Sequence, residues 1–415
     1  MGGGTDITQT YFSYANVYSE GIVPENNLKR HTLNLRVTSN IGKRFSTDAK
    51  VTYVHHDITG KPGVGGGSAS INIYRIPRTV RIEDVKNYES VDATGAMAPN
   101  YWYVSPFYGN PYWTVYNTGS DERRDRITGL VSGKAQITNW LDVKAVVSLD
   151  LNNTKGSYFA ENNTPGAAGS DNGSFGYELD RIVQRNIDVV VSGQNNITND
   201  LKISYNVGGT VLDTRGDITG ISVRKLIVPN RFNLSFAAQA DQFNYNANTH
   251  VQRQAIFGTA QFSFKEFLYL DGTARQEYFS TLPSPYYSFY PSVGLSAILS
   301  DIMKMPAVVD YAKVRVGYAR TGGGGPPFLN KQTYTIYPNG IQRDVVSPFP
   351  DLKPELTAGW EAGTEWRFFE NRLNFDVTWY KSNTTNQLLR VPTPPGTGFQ
   401  SNISMPVILK TRGLN

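Results

Sequence analysis

The sequence predicts an all-β protein, an antiparallel transmembrane β-barrel, on three observations. One hairpin pattern recurs along the chain. It reads Ile41-GKR-Phe45, Ile137-TNW-Leu141, Ile197-TND-Leu201, Phe264-KE-Phe267 and Phe369-ENR-Leu373, each an apolar anchor, a tight turn, a second anchor and then an alternating strand. Much longer segments rich in Gly, Pro and Asn separate these turns. Short turns at one end of the strands and long loops at the other are the signature of a membrane barrel. Most of the alternating runs last about nine residues or more, roughly what a tilted strand needs to cross a bilayer.

Taken in order, the expected strands are 9–18, 32–41, 45–55, 124–137, 141–158, 175–194 and 201–213. They continue at 252–264, 267–279, 288–299, 312–320, 357–368, 372–383 and 402–412. That is roughly thirteen or fourteen strands of barrel type. Side chains in a strand point to opposite faces with period two. Leu33, Leu35 and Val37 oppose Asn34, Arg36 and Thr38. Leu141, Val143, Ala145, Val147 and Leu149 oppose Asp142, Lys144, Ser148 and Asp150, with Val146 the exception. Leu373, Phe375, Val377 and Trp379 oppose Arg372, Asn374, Asp376 and Thr378. One face therefore suits lipid and the other water. Long connections are expected at 57–123, 161–174, 214–251, 321–356 and 385–400. Loops of this length are usually functional. No low-complexity linker divides the chain, so it reads as one domain, 1–415.

Composition excludes several classes. The 415 residues include no cysteine, 12% aromatic residues and 25 tyrosines. Absence of cysteine fits a protein that crosses an oxidising periplasm and removes thiol chemistry from consideration. No apolar run approaches the roughly 18 residues of a membrane helix, which leaves barrel strands untouched as an option because each is only half apolar. The net charge of +5, from 40 basic and 35 acidic residues, is small for the length. No basic run tracks a phosphate backbone, so no nucleic-acid partner is expected. The opening Met1-GGGTD lacks the charged and apolar regions of a signal peptide.

The first long loop carries the densest aromatic cluster: Tyr101, Trp102, Tyr103, Phe107, Tyr108, Tyr112, Trp113 and Tyr116, broken by Pro106, Gly109, Asn110 and Pro111. Tyr and Trp join a flat apolar face to a polar tip, so the cluster is a candidate platform for sugar rings or a partner protein. The competing reading is that the rings form the loop's own core or an interfacial girdle. Tyr101, Trp102, Tyr103, Tyr108, Tyr112, Trp113 and Tyr116 are carried forward as substrate- or partner-binding candidates.

Other constellations read as structural. His55 and His56 are adjacent on a strand and face opposite ways, so they do not share a metal ion. Gly63-VGGGSAS and Thr321-GGGG-Pro326 lack dinucleotide spacing and read as flexible loops. Glu83, Asp84 and Glu122 could be imagined as paired acids, but no nucleophile–base arrangement accompanies them. Asp121-ERRDR reads as a solvated rim above the membrane. The expectation is a non-enzyme with no cofactor and no metal.

Three stretches resemble the SusC/RagA-type TonB-dependent outer-membrane transporters of Bacteroidetes. These are Gly21-IVPENNLKRHTLNLR, Phe289-YPSVGLSAILSD with Tyr311-AKVRVGYARTGG, and Leu352-KPELTAGWEAGTEWRFFENRLNFDVTWYKSNTTNQLL continuing to Val391-PTPPGTGFQSN. The last is the strongest: in that family a Leu-Lys-Pro-Glu segment precedes strands joined at Phe-x-Asn-Arg-Leu. The resemblance implies a plugged barrel of about 22 strands. It also implies import of oligosaccharides or peptides, energy from the TonB complex, a SusD-like surface lipoprotein as lid, and a home in outer-membrane lipid. The signal peptide, TonB box, plug and last barrel strands of the family have no counterpart here, so the chain is expected to be a barrel fragment without plug. The reading is a component of an importer of oligomeric nutrients, glycan oligosaccharides first and peptides second. The alternative is an all-β surface carbohydrate-binding or adhesion protein without a lumen, in which the apolar faces would turn inward.

Overall fold

The computed structural model describes residues 1–64, 68–100, 109–165, 171–337, 340–405 and 409–414. Fifteen strands form one antiparallel sheet in which every strand pairs with its neighbour in the chain. They are β1 (Gly2–Gly4), β2 (Thr8–Glu20), β3 (Asn27–Ile41), β4 (Phe45–Thr59), β5 (Thr118–Gln136), β6 (Leu141–Ala160), β7 (Ser174–Asn196) and β8 (Leu201–Val223). The rest are β9 (Gln242–Phe264), β10 (Leu268–Phe279), β11 (Tyr287–Ile298), β12 (Val309–Gly323), β13 (Glu355–Phe368), β14 (Leu373–Thr385) and β15 (Leu409–Leu414). The sheet is open. Its order runs from β1 to β15 without a pairing between the two, and among the described residues no plug forms.

The recurring hairpin motif supplies the tight end. Ile41 pairs with Phe45 around the left-handed Gly42. Ile137 and Thr138 both donate backbone N–H to the Leu141 carbonyl. Phe369, Glu370 and Asn371 all take positive φ before Leu373 re-enters the sheet opposite Phe368. The short helix Leu299–Ile302 turns the chain at this same end between β11 and β12.

Register decides which residues share a face, because directly opposed residues point the same way. Phe12 pairs with Leu35, Leu35 with Val51, Ala49 with Val131, and Val131 with Val147. The row continues through Ile187, Val211 and Gln254, with Val143, Val191 and Val207 two rows below. Further on, Leu270, Leu295, Val316, Ala362 and Trp379 are linked in the same manner. Leu141, Val143, Val147, Leu373, Phe375 and Val377 all fall on this one face, as the alternation predicts. It is bare: Val131 is 61% exposed and Ile256 65%. No second sheet covers it among the described residues. An apolar surface of this extent belongs against lipid, which removes the sandwich alternative.

The opposite face is laced with charge. Arg36 donates two bonds to Asp48, at 2.9 and 2.8 Å. Arg126 holds Asp150, Lys134 holds Asp142 at 3.1 Å, and Arg315 grips Asp376 and Thr378. Each such exposed pair is worth little alone. Their side is the wet one.

Two expectations need correction. The segment 214–251 is loop only over 224–241: β8 continues to Val223 and β9 begins at Gln242, in register throughout. Above the lipid both faces meet water, so the hydrophobic alternation stops while the backbone ladder goes on. The last expected strand, 402–412, is divided. Ser401–Ser404 joins a three-stranded loop sheet with Leu389–Pro392 and Val346–Ser347, and the sheet strand is Leu409–Leu414. Three-residue β1 escaped notice because an all-glycine strand carries no side-chain pattern.

Val143→Arg puts a cation on the lipid face at a cost of about 2–4 kcal/mol near the midplane. Its assembly into the outer membrane should fail, whereas Lys144→Ala, on the wet face beside Lys134 and Val190, should assemble normally. Equal behaviour in a heat-modifiability assay would refute the face assignment. The unpaired edges of β1 and β15 find no partners in lipid. These 415 residues expressed by themselves should therefore aggregate, and a closed, heat-resistant monomer would contradict the open sheet.

Candidate functional site

The candidate site is the loop layer at the far end of the strands and the wet-face rows beneath it. The first loop, residues 60–117, contains α1 (Ala69–Tyr74), α2 (Ile82–Lys86), a small hairpin of Glu89–Val91 and Met97–Pro99, and α3 (Pro111–Asn117). Asn110 is its keystone. Fully buried, it caps α3 by accepting from the Tyr112 N–H at 2.9 Å and donates Nδ2 to the Val85 carbonyl at 2.8 Å. That is the expected chemistry of an Asn at an N-cap, followed by Pro at the first helical position. The glycine-rich stretch before α1 is only partly a loop, since Ser68 caps α1 by accepting from the Ile71 N–H.

Trp113 is 0% exposed, and its Nε1 donates to Thr164 Oγ1 at 3.1 Å. This ring forms loop core and presents no face to a ligand, so it is withdrawn from the binding candidates. The reason is its place on α3, whose one side packs against the next loop. Tyr112 is half-buried and stacks near Tyr116, which is exposed and also faces Tyr88. Tyr101, Trp102, Tyr103, Phe107 and Tyr108 lie outside the described residues.

Asparagines stitch the loops together. Asn117 donates to Glu161, Asn163 donates to Asp92 and to the Met97 carbonyl, and Asn230 accepts from the Asn162 N–H at 2.7 Å. Below them, Phe175, Val223, Leu226 and Ala237 form a small core with Phe159, Phe232 and Leu234. A second core joins Phe279, Leu282 and Leu352. The two buried apolar clusters among the described residues thus lie at the loop end of the sheet.

The first loop is tethered to the wet face by Glu122 on β5. Its carboxylate receives Lys61 Nζ at 2.9 Å, Arg124 at 2.8 Å and His56 Nε2 at 3.3 Å. The Lys61 bond, then His56, holds this carboxyl below the usual glutamate range despite partial burial. The Asp121-ERRDR rim is accordingly a paired ladder, with Arg123 bound to Asp57 on the other face. Glu83 and Asp84 lie apart on α2, where Asp84 pairs with Arg81. His55 and His56 do point to opposite faces: His55 bridges Asp125 and Asp57, at 2.7 and 3.0 Å, while His56 meets Glu122.

Sequence reasoning missed a second aromatic group. Register places Tyr158, Glu178 and Tyr245 on the wet face high on β6, β7 and β9. Tyr245 Oη donates to Glu178 at 2.6 Å, which pushes its phenol up to about 12. Tyr158 Oη donates to Ser222 at 2.7 Å. Both rings lie over glycine: a Cβ at Gly220 would stand 2.3 Å from Tyr245 and one at Gly176 2.5 Å from Tyr158. The signal was present as glycines mid-strand, but two of these residues fell in or beside the segment taken for a loop.

A lipid-facing sheet with a polar side, crowned by interlocked loops, is the wall of an outer-membrane β-barrel. Residues 71–415 match the family model described as TonB dependent receptor-like, beta-barrel, and the chain belongs to that family. The TonB-dependent receptor P26 of Formosa agariphila is 21% identical over 441 residues, spanning 99% of this chain and 42% of that protein. The RagAB peptide transporter structure superposes with a TM-score of 0.82 at 19% identity, covering 100% of this chain and 47% of that one. The ferripyoverdine receptor of Pseudomonas aeruginosa gives 0.63 at 14% identity, with 100% and 50% covered. The chain therefore spans less than half the length of its first relatives.

Trp113→Ala should loosen the loop layer by about 3–5 kcal/mol. Limited proteolysis should then nick residues 61–117 while the barrel stays intact; unchanged protection would show that the ring is not the loop's core. A carboxylate with a lowered pKa stabilises above its unfolded range, and that contribution is lost as pH falls through the folded value. The Glu122 tether should thus hold at neutral pH and release as pH falls below the usual glutamate range, seen as faster backbone hydrogen exchange in residues 60–64 relative to the barrel strands. Glu122→Gln should show that faster exchange at pH 7.

Proposed function

We propose that this chain is wall and loop layer of an active importer of oligomeric nutrients, energised by TonB and closed by a SusD-like surface lipoprotein. The observation that carries this reading is the joining of a lipid-facing sheet to a built loop layer over a wet face that presents Tyr158, Tyr245 and Glu178. Tyrosine rings with polar tips suit a sugar ring or a peptide side chain sliding past. Glycan oligosaccharides are the first substrate class. Peptides are the second, favoured by the fold shared with the RagAB peptide transporter.

The lipoprotein would sit on the apolar tips of the loop layer. Ile22 and Val64 are bare, Tyr74 is 89% exposed and Ile73 57%. Surface hydrophobics gathered at the ends of built loops are the kind of patch that a partner covers. Tyr112 and Tyr116, with Tyr101, Trp102, Tyr103 and Tyr108, are the candidate contacts for oligomer or lid.

The test uses the protein in its native membrane. Tyr158→Ala with Tyr245→Ala should cut binding of labelled oligomer about tenfold, at about 1–1.5 kcal/mol, with the barrel assembled. Competition between maltooligosaccharide and tryptic-peptide pools separates the two substrate classes. Ile73→Glu with Tyr74→Glu should release the lipoprotein on gentle solubilisation. Unchanged binding in the first variant would overturn the role given to the wet-face tyrosines, and unchanged association in the second would overturn the lid contact.

A further inference from the structure

The wall is not level at its top. On one side β9 pairs with β8 over its whole length, Gln242 to Phe264 against Val223 to Leu201. On the other side β10 reaches only to Phe279, opposite Arg253. The chain then turns away through Pro283 and Pro285, which have no N–H with which to extend a ladder. The Phe279 N–H closes that turn on the Tyr286 carbonyl at 2.7 Å. Residues 243–251 of β9 are left as a free edge above β10.

Alternation decides which peptide groups stay unpaired. Gln252 turns both of its own toward β10. Its carbonyl accepts from the Ser280 N–H at 3.0 Å, and its N–H donates to Ser280 Oγ at 2.9 Å. In an antiparallel strand the N–H and C=O of one residue point the same way, and successive residues alternate. The ladder to β8 runs without a bulge, so Asn244, Asn246, Asn248 and His250 turn their N–H and C=O to the open side. Among the described residues nothing pairs with these groups, and residues 243–250 are all exposed. Natural sheets blunt such edges with charge, proline or a bulge. Residues 242–252 contain no Lys, Arg, Asp, Glu or Pro, and their register is unbroken.

The repeat of the edge sets what fits it. Donor and acceptor recur at every second residue, about 6.8 Å apart, which an extended polypeptide matches and a glycan does not. The gap lies in the plane of the wall above β10, so a second barrel standing alongside in the membrane does not enter it. Phe243, Tyr245, Ala247 and Thr249 flank the edge on the wet face, and Asn244, Asn246, Asn248 and His250 flank it outside. These side chains impose no charge on an added strand. Pairing would therefore rest on the main chain and tolerate many sequences.

We propose that the free edge of β9 captures extended peptides by strand addition, reading their main chain and not their sequence. The inference rests on the importer reading. It gives the second substrate class of that reading, peptides, a site that glycans do not use.

The test uses the full transporter with its lipoprotein in outer-membrane vesicles. The probe is a labelled, end-capped decapeptide of alternating Ser and Thr, without charge or aromatic ring. Two analogues carry N-methyl groups, one at every second residue and the other at every residue. A strand pairs through one edge only, so the half-methylated peptide should bind within about threefold of the parent, and the fully methylated one at least about tenfold more weakly. Asn246→Pro with Asn248→Pro removes two free N–H groups and leaves the β8 ladder its own. That variant should lose about tenfold in peptide binding, with heat-modifiability and co-purification of the lipoprotein unchanged. Asn246→Ala with Asn248→Ala keeps both N–H groups and should bind within about threefold of wild type. Equal binding of the two analogues, or full binding by the proline variant, would overturn strand addition and leave the importer reading standing. So would a wild-type transporter that binds maltooligosaccharide and not the decapeptide. Release of the lipoprotein from the proline variant would also overturn the proposal, because the edge would then belong to the lid. Binding of neither probe by wild type would overturn the importer reading and this site with it.

Discussion

The constraint on which this structure depends is that lipid offers no hydrogen bonds to a peptide group. Each N–H and C=O inside the membrane must be paired by the protein itself. A meander of neighbouring antiparallel strands does this with the least chain, because each new strand pairs with the one just completed. The tight turns follow from that economy. Ile41 closes on Phe45 and Phe368 on Leu373 within a few residues, leaving almost no unpaired backbone at the tight end. With the backbone satisfied, side chains are free to divide by period two. Val131 and Ile256 can then stay bare of protein contact, a state that would be a defect in water.

The same constraint explains why the conventional hydrophobic core is displaced. A single sheet with lipid on one side and water on the other has no protein interior. Among the described residues, burial gathers into clusters where chain folds over chain, around Phe175 and Val223, around Phe279 and Leu352, and at Trp113. These clusters fix the loops. Asn110, Asn117, Asn163 and Asn230 then join one loop to the next by satisfying backbone groups that no ladder reaches. The loop layer is thus a small water-soluble fold carried on a membrane scaffold. Its rules are those of soluble proteins, helix caps and buried aromatics included.

This division of rules sets what the sequence reveals. Where lipid meets one face, alternation is enforced, and turns such as Ile197-TND-Leu201 and strands such as Leu141–Leu149 are legible residue by residue. Above the lipid the enforcement ends. Thr214–Val223 and Gln242–Val251 remain paired strands, but no hydrophobic rhythm marks them, so they read as loop. Tyr158, Tyr245 and Glu178 went unseen for the same reason: their convergence is a property of register across three strands. Aromatic density marked the first loop as built. Density does not tell a ring that packs, Trp113, from one that faces out, Tyr116, because that depends on which side of a two-turn helix meets Thr164. Asn402 sits in a loop sheet for a related reason, since a four-residue strand pairs with whatever edge a loop provides.

Register is also what lets one strand serve two chemistries at one height. Glu122 and Arg123 are consecutive, yet one anchors a loop over the wet face and the other pairs with Asp57 on the outward face. His55 and His56 divide likewise between Asp125 and Glu122. A slip of one residue would exchange every such pair and carry Val143 and Val147 into water. The lipid therefore protects the site above it. The energy that keeps the apolar side chains on one face also fixes, several rows higher, which carboxylate meets Lys61 and which tyrosine lies over Gly220, although neither residue touches the membrane.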